Sequence, residues 1–279
     1  MTLPEKKINY KTTLSYWNSR VRNSVDLYSP NMCFVGFPGY GFYRDWLERL
    51  VLRRHFLLSE GARVLDLGCG TGRVGIAFTK KAKNVTAVDY SEELLKIGKS
   101  YCKKKAIDNI KFEKSDVTQF NDNYKYDLIF IGGVLMCLND EDVQKTLRNA
   151  KALLAKHGKL IIRDSLAENK REVKNYYTVY RSINDLKNLM ERADLVLHDE
   201  FYSYNQGLVF YGYLELYKIF AQKYKLRFIL NIFAPLLYFL LALESLANIF
   251  FETWYLNLFL RLKKRKDKNI ICQKTFILE

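Results

Sequence analysis

From Arg63 to about Asp164, short β-branched runs alternate with longer stretches whose apolar residues recur every three or four positions. A period near two reads as strand and one near 3.6 as helix. The pattern predicts strands at Arg63–Leu67, Val85–Val88, Ile110–Glu113, Tyr126–Ile131 and Lys159–Arg163, and helices at Gly72–Lys81, Glu92–Lys105 and Glu141–Ala155. Alternation of this kind implies βαβ units, a parallel sheet and ligands at the carboxyl ends of its strands. Ahead of this core, Tyr43, Trp46, Leu47, Leu50, Val51 and Phe56 share one face of a helix. Behind it, Ser182–Arg192 reads as a helix, Leu195–Phe201 as a strand and Asn269–Phe276 as a closing β run. His55 and His157 are expected on the surface, with His157-Gly158 ending a helix.

The segment Phe228–Leu260 departs from this pattern. Its only charges are Glu244 and Glu252, while Lys223, Lys225 and Arg227 precede it and Arg261, Lys263, Lys264, Arg265, Lys266 and Lys268 follow. Its 33 residues suffice for one membrane span of about 20 residues but not for two with a turn. A return of Asn269–Phe276 to the sheet puts both ends on one side, which excludes a single crossing. An interfacial or re-entrant hairpin remains, broken near Pro235. Glu244, Asn248 and Glu252 form one polar stripe, which suits a helix lying in a membrane surface. A hairpin packed on the core or in a dimer interface explains the same pattern.

Composition narrows the picture only slightly. With 279 residues, 49% of them hydrophobic, the chain can bury a core and is not disordered. A net charge of +15 calls for an anionic neighbour without choosing among nucleic acid, phospholipid and glycan. Five scattered cysteines (Cys33, Cys69, Cys102, Cys137 and Cys272) form no CxxC pair, and three histidines complete no zinc spacing, so no metal is expected. Reduced thiols and an N-terminus, MTLPEKKINYK, without an apolar export signal suggest a cytoplasmic setting.

The strongest chemical signal is Val64–Val74, VLDLGCGTGRV, where a strand ends in Asp66 and Gly68, Gly70 and Gly72 open a helix. Glycines let backbone N–H groups approach a ligand. Gly70-x-Gly72-x-x-Gly75, with Asp89 nineteen residues beyond Gly70, also matches a dinucleotide fingerprint. Asp66 weighs against that match, because a carboxylate at the strand tip repels a pyrophosphate and attracts a cationic ligand. S-adenosylmethionine is such a ligand, carrying an ammonium and a sulfonium and no phosphate. Asp89 suits ribose hydroxyls, and Asp116 can accept from an adenine amino group.

In order, DLGCGTG, VDYS, SDV, YDLIFIGGVLMCLND and LLAKHGKLIIRDS resemble the motifs of class I S-adenosylmethionine-dependent methyltransferases of the small-molecule and glycan type, over roughly Glu60 to Phe201. The resemblance implies an α/β, Rossmann-like seven-stranded methyltransferase sheet with helices on both faces. Its last strand is antiparallel, with Asn269–Phe276 the candidate and the apolar helical insertion just before it. It implies that Asp66, Gly68, Gly70 and Gly72 hold the methionine end, Asp89 the ribose, Tyr90 and Asp116 the adenine, and Gly132 and Gly133 the methyl-donor side. The cofactor becomes S-adenosyl-L-methionine and the product S-adenosyl-L-homocysteine.

Transfer to a hydroxyl needs a base, and Asp164 at a strand end is the candidate, with capping or pairing to Arg181 as its alternative role. Tyr177, Tyr180 and Arg181 resemble the YxxYRS stretch of small-molecule and glycan methyltransferases and are candidates for the substrate side. Trp17, Tyr40 and Tyr43 are candidates for a lid or for core packing. After the fourth strand Ile131-Gly132-Gly133-Val134 lacks the proline and aromatic clamp of enzymes that methylate flipped bases, which disfavours nucleic acid. The expected organisation is a helical lid over 1–59, a cofactor-binding core over 60–204, an apolar insertion over 205–268 and the final strand over 269–279. The expected enzyme methylates a small-molecule, glycan or lipid-linked acceptor and docks on an anionic membrane, on its inner face, through 227–268. An RNA methyltransferase and a non-catalytic cofactor-binding module remain alternatives.

Overall fold

The computed structural model describes residues 7–21, 27–28, 45–46, 48–50, 52–53, 56–167, 171–175, 177–204, 240, 243 and 271–279. Two compact units divide the chain, one formed by Met1–Ser203 with Ile271–Glu279 and the other by Tyr204–Ile270. In the second unit Leu240 and Leu243 are helical and exposed. The interfacial or re-entrant hairpin expected there otherwise lies outside the described residues. Among the described residues no helix is long and apolar enough to cross a membrane.

The first unit follows the alternation of the sequence. After α1 (Tyr10–Val21) come β1 (Arg63–Leu67), α2 (Arg73–Phe78), β2 (Asn84–Asp89), α3 (Glu92–Lys105), β3 (Ile110–Lys114) and β4 (Tyr126–Gly132). A 3-10 turn (Leu135–Cys137), α4 (Asp140–Leu153) and β5 (Leu154–Ala167) follow. A hairpin of β6 (Glu172–Asn175) and β7 (Thr178–Tyr180), then α5 (Ile183–Glu191), β8 (Leu197–Tyr204) and β9 (Ile271–Leu278) complete the order. The seven-stranded sheet runs β3-β2-β1-β4-β5-β9-β8. Strands β1 to β5 pair in parallel, and β9 lies antiparallel to β5 with Ile162 opposite Phe276. The closing strand is therefore the expected one, shifted two residues toward the C-terminus.

Alternation along the strands gives the sheet two buried faces. Leu65, Leu67, Ile129, Ile131, Leu160 and Ile162 pack against Val143, Leu147 and Ala150 of α4 and Leu186, Leu189 and Met190 of α5. On the other face Val64, Val85, Leu128, Phe130 and Ile161 meet Val74 of α2, and Ala87 meets Leu95 of α3. Burying about 100–150 Å² of each such side chain contributes roughly 2–3 kcal/mol, so these stripes fix which face each strand presents. Three boundaries differ from the periodicity. Helix α2 is shorter than the predicted Gly72–Lys81, and α4 stops at Leu153. Leu154 is already extended and pairs with Tyr126, so His157-Gly158 belongs to β5 and does not end a helix.

The chain order reverses at β1, which has β2 on one side and β4 on the other. Crevices at such switch points, beyond the carboxyl ends of the strands, are where open α/β sheets bind ligands. The glycine turn after β1 and Gly132-Gly133 after β4 flank this crevice.

Candidate active site

Gly68, Gly70 and Gly72 all adopt positive φ (78°, 59° and 76°). The N–H groups of Gly68 and Cys69 both donate to Val88 O at 2.8 Å, which ties the turn to β2. At Gly68 the glycine is required twice over. An L side chain is strained at that φ, and a Cβ there would lie 2.2 Å from Val134 Cγ2. Gly98, in the middle of α3, is a second such position, since its Cβ would come 2.4 Å from Thr71 O. The turn is thus wedged between the loop after β4 and the flank of α3. Thr71 Oγ1 also donates to Leu27 O at 2.6 Å.

Three carboxylates end three neighbouring strands. Asp66 is 2% exposed, and its Oδ2 accepts from Gly75 N at 2.8 Å. That bond caps α2, whose N-cap Gly72 has no side chain to do so. Burial pushes the Asp66 carboxyl up to about 7, with Arg73 and Arg163 offsetting part of the rise. Asp89 accepts from Gly70 N at 2.7 Å through Oδ2 and from Ser91 N at 2.8 Å through Oδ1. It therefore fastens the glycine turn to the start of α3, and burial raises its pKa from the ordinary aspartate value, with its backbone hydrogen bonds opposing the rise. Each of its oxygens has a second lone pair with which to accept a ribose hydroxyl. Tyr90 beside it is 52% exposed. Asp116, half-buried past β3, accepts from Thr118 N and Thr118 Oγ1, both at 2.8 Å and both through Oδ1.

On the other side of the crevice, Gly132 pairs with Arg163, and Gly133 N donates to Arg163 O at 2.7 Å. Asp164 follows, 2% exposed; it does not end the strand as expected, because β5 continues in register with β9 as far as Ala167. Its Oδ2 accepts from Met136 N (2.8 Å) and its Oδ1 from Ser165 N (2.9 Å). Burial raises this carboxyl to about 6, with Arg181 and Arg163 lowering it in part.

Arg181 does not pair directly with Asp164. It donates to Leu135 O and Leu138 O, each at 2.6 Å, and twice to Asp140 Oδ1. Its guanidinium thereby clamps the 3-10 turn that carries Met136, and a second arginine, Arg171, holds the other Asp140 oxygen. Tyr177 stacks on Tyr16 of α1 with centroids 4.3 Å apart, and Trp17 meets Tyr16 edge-on. Tyr180 is half-buried on β7, the strand beside the 3-10 turn. Of the three aromatics expected over the site, Tyr40 and Tyr43 lie outside the described residues.

Sequence reasoning missed a buried ionic cluster beneath the turn. Asp45 and Glu48 each bond Arg73 at 2.6 Å, and Glu48 also meets Arg163 Nε at 2.5 Å. Glu48 thus joins the residue after Gly72 to Arg163 of β5. The apolar spacing pointed to the wrong face: Trp46 of the expected stripe is 40% exposed, and the acids Asp45 and Glu48 on the other side of the helix are the buried ones.

A methyltransferase-domain family model matches residues 58–223. The chain belongs to that family. Among curated relatives, the malonyl-[acyl-carrier protein] O-methyltransferase of Bacillus anthracis is 26% identical over 185 residues, 63% of this chain and 64% of that protein. The ubiquinone/menaquinone biosynthesis C-methyltransferase of Rickettsia massiliae is 25% identical over 189 residues, 63% of this chain and 71% of that one. A SAM-dependent methyltransferase from Leishmania major superposes with a TM-score of 0.58 at 20% identity, covering 70% of this chain and 76% of its own.

This methyltransferase uses S-adenosylmethionine, and the residues present fit it. Asp66, Asp89 and Asp116 end three adjacent strands, and the turn from Gly68 to Gly72 contains no base. Such a donor set complements an ammonium, a sulfonium and ribose hydroxyls and opposes a pyrophosphate.

Proposed function

We propose that this methyltransferase methylates a hydroxyl of a sugar, glycan or other lipid-linked small molecule at the inner surface of a membrane. Asp66 and the glycine turn would hold the methionine end of S-adenosylmethionine, Asp89 its ribose, Tyr90 and Asp116 its adenine, and Gly132-Gly133 the donor side. When bound, the cofactor supplies a sulfonium-activated methyl group whose in-line transfer destroys charge. The remaining demands on the protein are alignment of the acceptor and removal of one proton.

The observation that carries the hydroxyl reading is Asp164. A carboxyl in the last part of β5, raised by burial to about 6, is ionised near neutral pH yet basic enough to take a hydroxyl proton as the methyl arrives. Its bonds to Met136 N and Ser165 N fix its direction. The relatives named above act on a malonyl group of a carrier protein and in quinone biosynthesis, at oxygen and at carbon respectively, so the acceptor atom has to be argued from this chain's own site. The lipid-linked reading is supported by the apolar run Phe228–Leu260 between clusters of bases, each base near an anionic surface contributing about 1 kcal/mol.

The test is incorporation of tritiated methyl from S-adenosylmethionine into a membrane extract, a soluble small-molecule extract and a protein-free RNA pool. Label in an organic-soluble, alkali-stable product from the membrane extract is expected. Label confined to RNA, or to the soluble extract, overturns the acceptor class.

A further inference from the structure

Helix α1 is fastened in an asymmetric way. At its start Ile8 is 5% exposed, its N–H donates to Asn139 Oδ1 at 2.8 Å, and Asn139 Nδ2 returns a bond to Ile8 O. Tyr10 adds bonds to Asn139 and to Asp142. All of these partners lie on the loop after β4 or in the first turn of α4. Within the helix, by contrast, no residue is buried. Its far half packs toward α3, and its contacts there include the stack of Tyr16 on Tyr177 and a bond at 2.6 Å in which Ser91 Oγ donates to Asn18 Oδ1.

These two attachments lie beyond β4 and just after β2, and β1 is the strand between them. Adjacent strands are about 4.8 Å apart, so the tips of β2 and β4 are separated by about 10 Å. The eight residues from Tyr10 to Asn18 rise about 12 Å at 1.5 Å each. The helix therefore bridges the carboxyl end of β1, directly across the glycine turn. Ser91 is also the residue whose N–H is held by Asp89 Oδ1, and its Oγ caps α3 by accepting from Leu94 N. The latch and the candidate ribose acid are thus adjacent links of one hydrogen-bonded chain.

We propose that Asn18 is a positioning residue whose bond to Ser91 latches α1 over the cofactor turn, with Asn139 as the hinge. The proposal rests on the turn being the S-adenosylmethionine site. Opening the latch releases the product and admits the next cofactor. A bond present in both the empty and the loaded closed state lowers entry and exit by the same factor and cancels from the affinity.

The test uses the full chain and S-adenosylhomocysteine, with binding followed by stopped-flow tryptophan fluorescence. For Asn18→Ala, association and dissociation rates should both rise about threefold to tenfold, the range one hydrogen bond allows, while the dissociation constant changes less than twofold. Asn18→Asp keeps the acceptor oxygen and should return both rates toward the parent. Amide exchange gives a second readout. Residues 18–21 should exchange faster in Asn18→Ala than in the parent, and S-adenosylhomocysteine should slow them in both. Unchanged rates in Asn18→Ala overturn the latch, and so does a rise in dissociation alone, which marks a direct ligand contact. A parent protein that binds no S-adenosylhomocysteine overturns both this proposal and the site assignment beneath it. Parent binding with unaltered variant kinetics overturns the latch alone.

Discussion

Replacing Arg181 by Met separates two roles that its position in the sequence leaves open. If Arg181 serves as the structure places it, the guanidinium holds the turn after β4 through Leu135 O, Leu138 O and Asp140. Its side chain is 2% exposed, whereas that of Asp140 is 42% exposed. The ion pair is therefore screened and contributes little, and the two buried carbonyl bonds dominate. Hydrogen bonds from a charged donor contribute about 1.5–3 kcal/mol each, which gives a loss of about 3–6 kcal/mol for Arg181→Met, a change that nearly keeps the side-chain volume. For a domain of this size each kcal/mol moves Tm by about 2–4 °C, so a fall on the order of 10 °C is expected in a circular-dichroism melt. Because Met136 N orients Asp164, turnover should fall with it while acceptor KM changes little. A Tm within about 2 °C of the parent, together with a large rise in acceptor KM, would refute this reasoning and make Arg181 a substrate contact.

Asp164→Asn should remove an acid limb from the rate profile: the parent rate should rise with pH through about 6 and level off, and the variant should be slow and flat. The same raised pKa works against stability. The folded state keeps its proton better than the unfolded chain, so stability is greatest below the usual carboxylate pKa and is lost as pH rises through about 6. A shift of about two units is worth roughly 3 kcal/mol; urea midpoints should therefore move in the variant's favour between pH 4 and 7, and a constant offset would contradict the burial argument. Gly98→Ala normally stabilises a helix by up to about 1 kcal/mol, but here the 2.4 Å approach to Thr71 O should reverse the sign to a loss of about 1–3 kcal/mol and weaken cofactor binding. A more stable variant in the melt refutes the close packing. Glu48→Gln removes one of two carboxylates on Arg73, which keeps Asp45, and the carboxylate on Arg163, so in this buried site it should cost about 3 kcal/mol, measured by urea unfolding; a loss under about 1 kcal/mol would mean that the cluster is wet.

The sheet was legible because its strands are continuous β-branched runs and its helices amphipathic, so that period alone separates them. Helix α3, Glu92–Lys105, was readable to the residue because acids open it, bases close it and Ser91 caps it. The glycine turn was legible as chemistry, since Asp66 precedes a Gly68–Gly72 stretch that contains no base and Asp89 ends the next strand. The rest depends on contacts distant in sequence. Asn139 reaching Ile8 and Ser91 reaching Asn18 leave no local periodicity, so α1 had no signature as a bridge. Arg181 looked like a substrate residue because an arginine between aromatics and a serine gives no sign of carbonyls forty residues earlier. Gly98 was a signal left unread: a glycine inside a helix lowers its propensity, and the gain is the approach of Thr71.

The central claim is that the turn after β1 binds S-adenosylmethionine through a ring of carboxylates. Isothermal calorimetry of the full chain against S-adenosylhomocysteine and against NADPH, in the parent and in Asp89→Ala, tests it most directly. The account predicts one S-adenosylhomocysteine per chain, at least tenfold weaker binding once the Asp89 carboxylate and its hydrogen bonds are gone, and no heat with NADPH. Binding of NADPH, or S-adenosylhomocysteine affinity indifferent to Asp89, would contradict it.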